Sequence, residues 1–364
     1  MEAIVLNRSF EQVCMIDTFE SFIWTERYDC CGNFEIYTVV DTGLLSQIEQ
    51  DFYLWLKDSD AVMIIEEIQI QSDIETGNKL TISGRSLESI LDRRIIWKQT
   101  SFINQPIQNV IKTLIENNVT SPELSYRRIN NFIFNEVSGI SNPSISIQFT
   151  GDNLYDAIEG LCKSFNLGFK VTLNDNNQFV FSLYEGVDRS YDQAVNPYVI
   201  FSPKFENLIN SNYLESKKTL KNVTLVAGED EGENRKTVEY DISYAEGPQV
   251  HTQDLDRREL YTDARDIRSE VEDEHGERQP LTPEQYAAQL IQRGQTKLAE
   301  NTKSVAFEGQ IDTYNTYEYG VDYGMGDVVQ IENEYGIGAK VRITEFVKTQ
   351  DVNGYEAYPT YSII

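Results

Sequence analysis

The sequence predicts a mainly β protein with α+β insertions, and three observations predict it. Both ends of the chain are strings of short β-prone runs broken by turn residues. Between them, apolar residues recur at helical spacing beside alternating, strand-like runs. A highly charged stretch then interrupts the second β region and ends in a well-capped helix.

The first 99 residues read as one β domain. Ala3 to Leu6, Gln12 to Ile16, Phe22 to Arg27 and Phe34 to Val40 are strands, separated by Asn7-Arg8-Ser9, Asp17-Thr18 and Gly32-Asn33. Ala61 to Ile70 and Lys79 to Ser83 flank a Gly77-Asn78 turn, a hairpin signal. Ile68 and Ile70 alternate with Gln69 and Gln71, which predicts one buried face. Ser86 then caps a helix to Arg93, with Leu87, Ile90 and Leu91 on one face, placed to close the β domain.

Residues 100–200 read as an α+β domain. Pro106 opens a helix carrying Ile107, Val110, Ile111, Leu114 and Ile115. Ser144 to Phe149 is a strand, and Asp152 caps a second helix through Leu154, Ile158, Leu161 and Phe165. Gly168 to Leu173 and Gln178 to Leu183 form a hairpin. Residues 201–245 and 305–364 return to strands and are assigned to a second β domain. Residues 246–304 form an inserted acidic helical domain. Its helix starts at Thr282-Pro283-Glu284-Gln285, a capping box with Pro in the first position, and runs to about Asn301. Gln285, Gln289, Gln292, Arg293 and Lys297 make its faces polar, so weak packing is expected.

Composition narrows the function. The 364 residues suffice for roughly two to four domains. With 40% hydrophobic and 25% charged residues the chain is globular rather than disordered. The 21 Tyr and 17 Phe suit half-buried sheets and subunit interfaces. A net charge of -28 opposes contact with nucleic acid phosphates and anionic membranes. It reads either as a solvated acidic surface or as the wall of a channel that DNA passes without sticking. The N-terminus lacks a basic start and a long apolar centre, and no run approaches the roughly 20 apolar residues of a membrane span. A soluble protein made in a cytoplasm, without membrane contact, is expected.

Chemistry-bearing constellations are sparse. Cys14, Cys30, Cys31 and Cys162 show no Cys-x-x-Cys spacing and read as small buried hydrophobes. His251 and His275 stand in polar surroundings. The acidic runs 229–233 and 270–274 lack the alternating ligands and Gly of a calcium loop. Gly324-Met325-Gly326 precedes β-branched residues rather than a helix, so it reads as a turn and not a phosphate loop. No catalytic residue, metal or cofactor is assigned. A hydrolase site assembled across domains and a carbohydrate-binding module using the surplus Tyr are the rival readings.

Three runs carry a resemblance. The first is Phe19-x-Ser21-x-x-Trp24-x-x-Arg27-Tyr28 followed by Gly32-x-Phe34-Glu35. The second is Ser83-Gly84-Arg85-Ser86-Leu87-Glu88-Ser89-Ile90-Leu91-Asp92-Arg93-Arg94-Ile95-Ile96. The third is Tyr323-x-x-Gly326-Asp327-Val328-Val329 with Arg342-Ile343-Thr344-Glu345. In this order they resemble the siphophage tail hub family, the N-terminal structural module of tail-associated lysins, related to contractile-tail baseplate hubs. The resemblance implies two related antiparallel β-barrel domains plus two smaller domains. It marks Trp24, Arg27, Tyr28, Gly32, Phe34, Gly84, Arg85, Leu87, Gly326 and Asp327 as structural motif residues.

It further implies a non-enzymatic hub at the tail tip of a virion, phage or phage-like. Three copies, each with two barrels, would make a pseudo-sixfold ring that docks on a distal tail or tail tube protein. DNA would transit the lumen without specific binding. Family members often continue into a wall-degrading or receptor-binding region, whereas this sequence stops at Ile364. A tip, fibre or lysin function is therefore expected on a separate chain.

Overall fold

The structure is a computed structural model, and it describes the chain except for residues 74–76, 209, 230–231, 233–234, 246–249, 273–277, 311–315 and 337. The chain is mainly β, as expected. The first region contributes β1 (Ala3–Leu6), β2 (Gln12–Ile16), β3 (Ser21–Arg27), β4 (Asn33–Val39), a helical turn α1 (Thr42–Leu45), β5 (Tyr53–Leu56), β6 (Val62–Asp73) and β7 (Gly77–Ser86). These strands pair antiparallel in the order β3-β4-β7-β6-β5-β1-β2. Phe22, Trp24, Phe34, Ile36, Leu54 and Leu80 fill the core on one face.

Two details differ from expectation. Gly77 and Asn78 lie inside β7, paired with Asp73 and Ser72, rather than in a turn, and residues 74–76 are outside the described residues. Ile70 is half exposed. The reason is strand length: β5 covers β6 only over Val62–Ile64, and the hairpin runs on past it.

The segment Leu87–Arg93 is a 3-10 helix. Ser86 makes no side-chain cap; its hydroxyl accepts instead from Gly32 N at 2.7 Å. Leu87, Ile90 and Leu91 join the core of the next region rather than only closing the first. That region holds β8 (Thr100–Pro106), α2 (Ile107–Ile115), β9 (Phe132–Asn135), β10 (Ser144–Phe149), α3 (Leu154–Ser164), β11 (Gly168–Leu173) and β12 (Phe179–Tyr184). The cap of α3 is Asn153, not Asp152: Asn153 Oδ1 accepts from Tyr155 N at 2.8 Å, while Asp152 takes Thr150 N. The expected faces of α2, α3 and β10 are buried together.

The remaining strands divide in two. One set is β13 (Ile200–Phe201), β14 (Asn210–Ser216), then, much later, β20 (Ser304–Gln310), β21 (Val328–Glu332), β22 (Gly338–Asp351) and β23 (Gly354–Ile363). The other is β15 (Val223–Ala227), β16 (Thr237–Asp241), β17 (Glu259–Asp263), the hairpin β18 (Glu270–Glu272) and β19 (Arg278–Pro280), and α4 (Pro283–Ala299). β15, β16 and β17 make a sheet of their own, so the expected division at 245/246 falls inside that sheet. β22 is long enough to pair with β21 and β23 over the second β region and with β3 over the first. The two β regions are thereby one 13-stranded sheet. Among the described residues its path is open rather than two closed barrels, because β22 continues across from one region into the other.

The capping box of α4 forms as read: Thr282 Oγ1 accepts from Gln285 N, and Gln285 Oε1 accepts from Thr282 N. Its packing does not follow the expectation. Gln289 and Gln292 are buried, because α4 lies on β15 and β16 with one side and against α3 and β10 with another. A methyl at Gly294 would come within 2.9 Å of Thr224 and Val226, so only a bare backbone lies this close to the sheet. The two ends of this unit meet, with Lys221 N donating to Asn301 O at 2.8 Å. Replacing 222–300 by a short linker is therefore expected to keep the 13-stranded sheet, since loop closure changes slowly with length. Circular dichroism should lose the α4 signal and keep the main β signal. Removing only 246–304 should aggregate, because β15 and β16 would lose α4 and β17.

Candidate functional site at the three-way junction

The three parts of the chain meet where β3 ends. Tyr28, the residue after β3, is buried. Its N–H donates to Thr344 O of β22 at 2.9 Å, and its carbonyl accepts from Phe169 N of β11 at 3.2 Å. Its hydroxyl donates to Asn166 O at 2.8 Å. The Tyr184 ring meets it edge-on at 5.2 Å between centroids, and the Arg342 guanidinium lies 5.4 Å from its centroid. Arg342 Nη1 also donates to Gly326 O at 2.8 Å. Burial pushes the Tyr28 phenol up to about 12, against the opposing pull of the Arg342 cation.

Glycine makes this convergence possible. Gly326 has φ +86, and a Cβ there would lie 2.2 Å from the Tyr28 ring. A Cβ at Gly168 would lie 2.4 Å from the same ring. Asp327 then locks the turn. Its carboxylate accepts from Val187 N at 2.6 Å, Arg189 Nε at 2.7 Å and Gly324 N at 2.9 Å. Arg27 completes the joint through Glu345 at 2.5 Å and the Cys31 carbonyl at 2.8 Å. Arg27, Tyr28, Gly326 and Asp327 are thus brought together from opposite ends of the sequence.

The other motif residues lie away from this point. Trp24 and Phe34 pack in the first core, with ring centroids 6.3 Å apart. Gly32 and Ser86 exchange bonds that fix the end of β7. Gly84 faces the bulge in β6, where a Cβ would lie 1.8 Å from Ile64 O. Arg85 holds Glu66 through two nitrogens at 2.8 and 3.0 Å and Asp92 at 3.0 Å. Leu87 enters the core of the middle region. Sequence reasoning missed Asn166, Gly168, Tyr184 and Arg189. Asn166, at φ +54 just after α3, carried a local signal as a left-handed helix terminator; the others carried none.

Beside the junction lies a cleft of about 820 Å³, bordered by Glu26, Glu88, Lys170, Tyr319 and Lys348. Most of these groups are engaged in joining the parts. Lys348 Nζ of β22 lies 3.7 Å from the Glu26 carboxylate of β3 and donates to Asp58 O at 2.8 Å. Glu88 Oε1 accepts from Val171 N at 2.7 Å, tying the 3-10 helix to β11. Burial pushes the Glu88 carboxyl up. The folded state therefore favours its protonated form, and that contribution is present at low pH and lost as pH rises above the unfolded value. Glu88→Gln keeps the acceptor and removes the charge. It is expected to raise the melting temperature at pH 8 and change it little at pH 4, read from thermal melts.

Among the described residues no group of His, Cys, Asp and Glu is arranged to hold a metal ion. His251 lies away from the cleft, 3.3 Å from the Tyr244 hydroxyl; His275 is outside the described residues. Among the described helices none is long and apolar enough to cross a membrane.

The architecture is that of phage tail proteins. It is similar to the prophage tail protein gp18 from Listeria monocytogenes EGD-e, with TM-score 0.55 and 12% identity over 100% of this chain and 94% of that one. It is similar to the tail protein from Neisseria meningitidis MC58, with TM-score 0.57 and 13% identity over 99% and 95%. The 43 kDa tail protein of prophage MuSo2 from Shewanella oneidensis gives TM-score 0.55 and 12% identity over 100% and 98%. The chain belongs to the Siphovirus ReqiPepy6 Gp37-like protein family, whose model matches residues 2–360. No curated protein matches the sequence.

Proposed function

We propose that this chain is the structural hub of a siphophage-type tail tip, joining the tail tube to the tip. The observation that carries this reading is likeness to tail proteins over 94–98% of their length, with family membership over residues 2–360. The two β regions, joined in one sheet, serve as the paired β domains of the ring, and residues 222–300 are an insertion in the second. Three copies form the ring, docked on a distal tail or tail tube protein, with DNA passing through the lumen unbound. The ten motif residues act by holding this body rigid. The junction suits a connector, because Tyr28, Asp327 and the β22–β3 pairing tie three regions together. In this reading wall cleavage and receptor binding belong to other chains.

Particles assembled without this chain test the proposal. Tubes that lack a tip, with wall-degrading activity still present elsewhere, are expected. Complete tails without it, or loss of hydrolysis alone, would favour the enzyme reading.

A further inference from the structure

A second pocket of about 350 Å³ opens where the 3-10 helix leaves the first β region. It is lined by Arg93, Arg94 and Arg127 together with Ile95, Trp97 and Tyr126. The guanidinium groups are fixed by backbone carbonyls. Arg94 donates to Arg127 O at 3.0 Å and to Arg93 O at 2.8 Å, and Arg127 donates to Ile95 O at 2.9 Å. Arg127 also lies 4.6 Å from the Trp97 ring centroid. Burial and the neighbouring cations Arg127 and Arg93 push the Arg94 ionisation down.

The chain carries 59 acidic side chains against 31 basic ones, yet among the described residues only one of the three guanidinium groups, that of Arg93, is ion-paired. Arg93 holds Asp51 at 2.8 Å. Asp92, the acidic residue in the lining, is taken by Arg85 and Asn153. Among the described residues Arg94 and Arg127 have no carboxylate within ion-pair distance. Trp97 is 56% exposed and Tyr126 81% exposed. Fixed guanidinium forks match carboxylates, and Arg, Trp and Tyr are the residues that dominate interface energies.

The occupant follows from charge. Every copy of the chain, at -28, offers carboxylates, and the fork of a guanidinium group pairs with a carboxylate through two parallel hydrogen bonds. A neighbouring copy presents mostly carboxylates, and copies repel on average, so their contact has to form where the local sign is opposite. We propose that the pocket formed by Arg94, Arg127, Trp97 and Tyr126 docks an acidic segment of a second copy of this chain in the assembled tail. This rests on the tail reading above.

The test places a photo-crosslinker at the pocket, Tyr126→p-benzoyl-phenylalanine, in assembled tails. The expected result is an adduct of twice the chain mass whose partner peptide is rich in Asp and Glu. An adduct with another tail protein or with DNA, or no adduct from tails that contain the chain, overturns the assignment. Absence of the chain from purified wild-type tails would instead overturn the tail reading. In parallel, Arg94→Glu with Arg127→Glu should cut tail yield at least tenfold, while Arg128→Glu, outside the pocket, leaves it unchanged. Melting curves of the isolated variants check folding. Unchanged yield in a folded double variant also overturns the proposal.

Discussion

Gly326→Ala is expected to destabilise the protein by about 2–5 kcal/mol, combining strain at positive φ with overpacking. The added methyl would stand 2.2 Å from the Tyr28 ring, and the backbone holds φ +86. Tyr28 cannot withdraw easily, because its N–H, carbonyl and hydroxyl are each bonded to a different strand or turn. Urea unfolding followed by fluorescence should show the loss. Tyr28→Leu combined with Gly326→Ala should recover part of it by removing the ring edge, whereas Tyr28→Leu alone leaves a gap. A loss below about 1 kcal/mol, the size of an ordinary substitution, would mean that the junction is loose.

Asp327→Ala is expected to cost roughly 3–5 kcal/mol, the size found when one partner of a buried ion pair is removed. Arg189 would be left as a half-buried cation, and the N–H groups of Val187 and Gly324 would lose their acceptor. Asp327→Asn should lose less, because one oxygen remains to accept. Limited proteolysis gives the location. The chain near 186–200 should be cut first, since Asp327 holds it through both Val187 and Arg189. The wild-type pair should resist added salt, because burial shields it from screening.

How much of this was legible in the sequence depended on the range of the forces involved. The capping box of Thr282 and Gln285 was readable, because its chemistry lies within four residues. The strands from Ala3 to Val39 and the apolar faces of α2 and α3 were readable from periodicity. β5, β8 and β9 were missed; they are short or lead straight into a helix, and pattern says little over such lengths. The polar reading of α4 failed at Gln289 and Gln292, since a helix covered on two sides buries residues that composition assigns to solvent. Motif residues were nameable by resemblance, but their work was not. Nothing near Tyr28 in sequence announces Gly326, and nothing near Asp327 announces Arg189. The cation cluster was invisible for the same reason, because Arg94 and Arg127 meet only in the fold.

The role proposed for this chain is that of the threefold hub of a tail tip. Electron cryomicroscopy of assembled tails, with the rotational symmetry of the layer containing this chain measured directly, tests it. Three copies, whose two β regions alternate around a pseudo-sixfold ring continuous with the tube, are the expected result. A layer with six copies, or a chain found only at the periphery of the tip, would contradict the account.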